Sequence, residues 1–310
     1  MKMDEVVDVE PSANVTSLAK AMSRSGFGGR SLGEAVEIFR EMVLDKNCIK
    51  FLGVSGALVP CGLRKIISRM ISEKYVDFIV STGANITHDL SLAFGGKQYQ
   101  LKGKDSNLTD IELRRKGFFR VYDVCIPSAD FTTLERNLTG ILQKLPEGVY
   151  GSSELLSKIG CEIKDVNSIV KNASDAGVPI VIPAFTDSII GLQVWSIIQT
   201  LKLKVDVFKD LALIVNKQFD LRSERKSSGA VFLGGGVPKN FILQSALTAD
   251  KPFDYFIQIV TDRPEFGGLS GATPDEAKSW GKVRGSANVC TVNCDVSIAM
   301  PFIMSAVFNL

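Results

Sequence analysis

Residues 256–282, FIQIVTDRPEFGGLSGATPDEAKSWGK, decide the fold. Phe256, Ile257, Ile259 and Val260 form an apolar run with little alternation, the pattern of a strand covered on both faces in a parallel sheet. Gly267, Gly268 and Gly271 then permit a turn that brings main chain close to a ligand. Thr273, Pro274 and Glu276 read as an N-cap, a first-turn proline and a capping-box acid, opening a helix of about two turns. At its end Trp280 and Gly281 deliver Lys282. An amine beside an indole and a flexible glycine is partly desolvated, which suits a nucleophile toward carbonyls or imines. The same residue also reads as a helix C-terminal cation facing water.

Working outward, residues 229–233 repeat the theme: an apolar strand, then Gly234, Gly235 and Gly236, then Pro238 near a helix start. Strand, glycine turn and helix start make a phosphate cradle. The G-x-G-x-x-G fingerprint is absent, however, and a tight turn is an equal reading. Residues 178–184 form a strand that runs into Asp187, either a ligand-facing acid at the carboxyl end of the sheet or a helix N-cap. Residues 48–53, a helix bearing Leu63, Ile66, Ile67, Met70 and Ile71, and a strand over 76–81 form a βαβ unit. Thr82, Gly83, Ala84 and Asn85 follow it, with Thr87 as the cap of the next helix and backbone amides converging there. Beyond Lys282 come a strand over 288–295, ending in Asp295, and an apolar helix over 297–308.

The rest is scaffold. A short helix spans 15–22, and Ser31 with Glu34 makes a capping box opening a helix to 44 whose core face holds Ala35, Ile38, Phe39 and Met42. Residues 95–116 carry mixed charge, 121–126 read as a strand, 128–144 as a helix, and 146–175 as polar surface helices. A charged helix over 204–226 has Val207, Leu211, Ala212 and Val215 on its core face. Strands alternating with helices predict an α/β fold: a single Rossmann-like domain over 15–310, its parallel sheet covered by helices on both faces, after a mobile tail over 1–14.

Composition narrows the function classes. With 310 residues, 45% of them hydrophobic, the chain can bury a large core, and 36 basic against 34 acidic residues leave no electrostatic footprint for nucleic acid. No apolar run is long enough to span a membrane and the start lacks a signal-peptide core, so the expected location is cytoplasmic. Six cysteines, mostly within apolar stretches and without a C-x-x-C pair, read as reduced core residues. The single histidine, His88, excludes a multi-histidine metal site and is the one imidazole available for proton transfer.

SGATPDEAKSWGKVR, with FLGGGVPK at 232–239 and VSTGANITHDL at 80–90, resembles deoxyhypusine synthase and its deoxyhypusine synthase-like relatives. The resemblance implies a cytoplasmic homotetramer that uses NAD to oxidise an amine such as spermidine. It implies that Lys282 carries a butylimine, which passes to an amine acceptor such as a translation-factor lysine. It also implies cofactor contacts at Thr82, Gly83, Ala84, Asp187, Gly235, Thr261, Asp262, Asp295 and Val296, and a substrate tunnel with Gly267, Glu276, Trp280 and Lys282. Where the family has a histidine this chain has Asn240, which cannot exchange a proton near neutral pH; His88 is the candidate to take over part of that relay. Family carboxylates are replaced by Thr87, His88, Leu192 and Leu269, so the polyamine pocket has lost negative charge. Asp89, Asp262, Glu265 and Asp275 are candidates to compensate from shifted positions. Three other activities stay open: homospermidine synthase-type transfer to a small diamine, a silent NAD-binding partner subunit, and a pyridoxal phosphate enzyme using Lys282.

Overall fold

The structure is a computed structural model that describes residues 6–103 and 107–308. Residues 1–5 of the expected N-terminal tail, and Lys104 and Asp105 of the mixed-charge segment, lie outside the described residues. Two compact units emerge: one comprises the residues up to Ser55, Tyr75–Ser81 and Leu211 onward, the other Gly56–Lys74 and Thr82–Asp210.

The first unit is built on parallel strands in the order Val283–Asn293, Phe253–Val260, Ser228–Leu233, Ile49–Val54, Phe78–Ser81. Numbered along the chain this is 5-4-3-1-2, so strand order reverses between Ile49–Val54 and Ser228–Leu233. In open α/β sheets the ligand crevice lies at the carboxyl ends of the strands flanking such a switch point. All six residues of Ser228–Leu233 are buried, as unalternating apolar sequence requires. Phe51 packs on Phe78 and Phe253, and Phe232 on Phe256, with ring centroids 5.0–5.5 Å apart. The Gly236–Ala249 helix packs on the central strands and Phe27–Leu44 on Val283–Asn293. This is the α/β architecture with a helix-packed parallel sheet that the sequence implies.

Several local expectations are corrected. The second helix starts at Phe27 with Gly26 as N-cap; Ser31 lies inside it, and Glu34 pairs with Arg30 at 2.6 Å instead of closing a capping box. The final helix, Val296–Val307, is capped by Asp295, whose Oδ1 accepts from Ser297 N at 2.7 Å. In helix Val207–Ser223 the buried positions are Asp210, Ile214, Gln218 and Leu221, whereas Val207, Leu211 and Ala212 are exposed.

The second unit holds an antiparallel sheet of Tyr99–Gln100, Val124–Pro127 and Phe118–Val121, and a parallel pair, Gly148–Tyr150 with Leu203–Val205. The strand expected over 121–126 is instead a hairpin, broken at Tyr122, whose φ is +51°. Helices Ser152–Glu162 and Ile169–Ala176 occupy the polar tract, and it is not all surface. Ser152 and Ser153 are buried and donate their amides to Asp210 at 2.8 and 3.1 Å. No described helix is long and apolar enough to cross a membrane.

Candidate active site

In the first unit, strand Phe253–Val260 leads through Thr261 and Asp262 into a glycine-rich loop, with Gly267 at φ +70°. Thr273 Oγ1 accepts from Glu276 N at 3.2 Å and starts a helix over Pro274–Ser279, shorter than the two turns expected. The exposed Glu276 lines a pocket with Asn240, Leu269, Trp280 and Lys282. Lys282 is held at both backbone ends: its amide donates to Ala277 O and its carbonyl accepts from Phe253 N, each at 3.0 Å. Its Nζ lies 5.1 Å from the Trp280 ring centroid. That is a cation-π separation, and it places the amine against an apolar wall inside the pocket.

At the switch point Gly234, Gly235 and Gly236 form the predicted turn, with φ of +80° and +58° at its ends. A Cβ on Gly235 would lie 2.4 Å from Ser270 Cα, so only glycine lets the two loops meet. Helix Gly236–Ala249 begins here with no side-chain cap hydrogen bond among the described residues, which is what a helix start that receives a phosphate oxygen of the dinucleotide implied by the resemblance requires. Ser55, at the end of the neighbouring strand, hydrogen-bonds Gly235 O. Sequence reasoning passed over Ser55, although its place after a central strand was a usable signal.

In the second unit Thr82 caps helix Gly83–Ala93, correcting the expectation for Thr87. Thr87 sits inside the helix, donating to Gly83 O at 2.8 Å and accepting from Ile190 N at 3.1 Å. Asn85 Oδ1 accepts from Leu58 N at 2.7 Å, and its Nδ2 and Thr82 Oγ1 both donate to Gly56 O, so the Gly56–Leu58 turn is tied to this helix start. A Cβ on Gly83 would strike Ser188 at 2.3 Å. His88 is buried, packs edge-on to Phe131 with centroids 6.3 Å apart, and leaves Nδ1 without a partner among the described residues. Burial lowers its pKa to about 4, so at neutral pH the imidazole is uncharged. Asp187 is exposed, and Ser188 caps the following helix in its place. Leu192 is exposed on that helix, Ile189–Ile198.

The carboxylates expected to compensate fare unevenly. Asp89 is fully buried in a structural role, accepting from Arg64 at 2.6 Å, Ser168 Oγ at 2.8 Å, Val170 N at 2.9 Å and Ile169 N at 3.0 Å. Asp275 pairs with Lys278 at 3.0 Å in solvent. Glu276 is the acid that lines the Lys282 pocket.

A Rossmann-like sheet with a glycine turn at its switch point and a lysine set against a tryptophan defines a nucleotide-fold protein with a candidate amine nucleophile. The family model for deoxyhypusine synthase matches residues 17–307. A Methanosarcina mazei protein named probable deoxyhypusine synthase 1 is 44% identical over 299 residues, 96% of this chain and 92% of the relative. An Archaeoglobus fulgidus protein named probable deoxyhypusine synthase 2 is 39% identical over 297 residues, 93% and 96% of the two chains. A crystal structure from Entamoeba histolytica described as a deoxyhypusine synthase shares the fold, with TM-score 0.64 and 18% identity over 99% of this chain and 97% of that one. The chain belongs to the deoxyhypusine synthase family, a family of transferases.

Proposed function

We propose that the chain is an NAD-dependent aminobutyl transferase that takes a butylamine group from a polyamine such as spermidine, holds it on Lys282 as an imine, and passes it to an amine acceptor. The observation that carries this reading is the Lys282 Nζ, 5.1 Å from the Trp280 ring centroid in a pocket lined by Glu276. In the unit that holds Lys282, Gly235, Thr261, Asp262, Asp295 and Val296 are the candidates to hold NAD; the other unit, taken by itself, carries the cofactor candidates Thr82, Gly83, Ala84 and Asp187. When bound, NAD supplies a hydride acceptor for the donor carbon and later the returning hydride.

The chain's own residues do the rest. Lys282 forms its C=N bond as the donor's C–N bond to the departing diamine breaks. Trp280 sets its ring face toward the Lys282 amine, and the reaction requires the closed site to keep out water, which would hydrolyse the imine. Glu276 offers the pocket a carboxylate for a substrate ammonium. Asn240 is half-buried in the same pocket and can orient an amine by hydrogen bonds without titrating. The acceptor is a protein lysine, as on a translation factor, with a small diamine as the competing acceptor, and the working form is a cytoplasmic homotetramer. The apolar Leu269 beside Lys282 favours a donor with fewer charges than spermidine. NADH formation across a panel of amine donors, with products identified by mass spectrometry, tests the proposal. Donor-dependent NADH supports transfer, and its absence with every donor points to a silent NAD-binding subunit.

A further inference from the structure

Lys239 stands in the first turn of helix Gly236–Ala249 and is 3% exposed. That is an unfavourable place for a cation on two counts. The helix dipole opposes positive charge at this end, and burial strips the ammonium of water. Its hydrogen bonds go to main-chain carbonyls of one loop: Ala272 at 2.6 Å, Leu269 at 3.1 Å and Ser270 at 3.5 Å. An ammonium has three protons to donate, and these three carbonyls match them. The same loop presents Leu269 to the pocket that Lys239 and Lys282 also line. Gln258, from the strand beneath, adds a neutral donor to Ser270 O at 2.8 Å, so the charge is needed chiefly at Leu269 and Ala272.

We propose that Lys239 is a positioning residue for this pocket: its ammonium gathers the Leu269, Ser270 and Ala272 carbonyls and holds the substrate-facing loop in the conformation that borders Lys282. The effect on catalysis rests on the aminobutyl-transfer reading, whereas the hold on the loop does not. While protonated, Lys239 has no lone pair to offer, so it is not a second nucleophile. Burial, the largest influence, brings its pKa down to about 8; Glu276 and Asp262 draw it back up and Lys282 pushes it down. The clamp therefore loosens as pH rises through that value.

Amide hydrogen exchange of residues 267–273 in the full-length protein tests this directly. Lys239→Met should lose about tenfold in loop protection at pH 7, with the rest of the unit unchanged, and Lys239→Arg should retain most of it. The wild type, corrected for intrinsic exchange, should lose loop protection between about pH 7 and pH 9. In the amine assay Lys239→Met should raise donor KM about fivefold with kcat nearly unchanged, and the borohydride adduct should remain on Lys282. Unchanged loop protection in both the variant and the wild-type pH series overturns the proposal, as does an adduct on Lys239. If no amine donor is turned over yet the loop loosens, the transfer reading fails and the clamp stands. Should Lys239→Met not fold, the wild-type pH series decides alone.

Discussion

His88 gives a pH-dependent stability that can be worked from its environment. The imidazole is 6% exposed, and burial alone lowers its pKa from 6.5 to about 4. Between those values the unfolded chain binds a proton that the folded chain refuses, so stability is fully present above 6.5 and is lost as pH falls toward 4. The full interval corresponds to ~3 kcal/mol, and ~2 kcal/mol of it is gone by pH 5. Because His88 is the chain's only histidine, no second imidazole blurs the effect. His88→Gln removes the titration, and the carboxylates shared by both proteins cancel in the difference. Urea unfolding of the two proteins from pH 7.5 to pH 4.5 should therefore show the wild type losing ~2 kcal/mol more than the variant by pH 5. Parallel curves refute the reasoning and mean that water or another group reaches the ring. If the loss appears while the pH dependence of kcat is the same in both proteins, His88 is a packing residue and not part of the proton relay.

Asp89→Asn should destabilise the chain by ~3 kcal/mol, since it leaves Arg64 with Asp165, at 2.7 Å, as its remaining carboxylate partner beside the residue 89 carbonyl, and removes the charge capping helix Ile169–Ala176; thermal unfolding reads the loss. Leu269→Asp returns a carboxylate to the Lys282 pocket and should raise kcat/KM for spermidine about tenfold relative to putrescine. No change in that ratio would mean the donor does not pass Leu269.

What the sequence revealed, and what it hid, follows from how local each signal is. The strand, glycine loop and Lys282 were legible because they lie in one continuous tract whose residue types each demand a particular backbone state. The cap at Thr82 was missed in favour of Thr87 because both are threonines near a helix start, and only Ile190 N, a partner 103 residues away, shows why Thr87 is buried. Helix Val207–Ser223 has apolar residues around more than one stripe, and the choice of buried stripe depends on Asp210 taking the amides of Ser152 and Ser153. Asp89 read as a substrate acid because its four partners come from two other segments of the chain. Lys239 was quoted within FLGGGVPK and passed over. A lysine in the first turn of a helix, where the dipole disfavours it, was the available clue.

The most direct test of the account is borohydride trapping of the full-length protein with spermidine and NAD, followed by peptide mapping. The account predicts one butylamine adduct, on Lys282, that requires both donor and NAD and disappears in Lys282→Arg together with transfer activity. An adduct on any other lysine, or full transfer by Lys282→Arg, contradicts it.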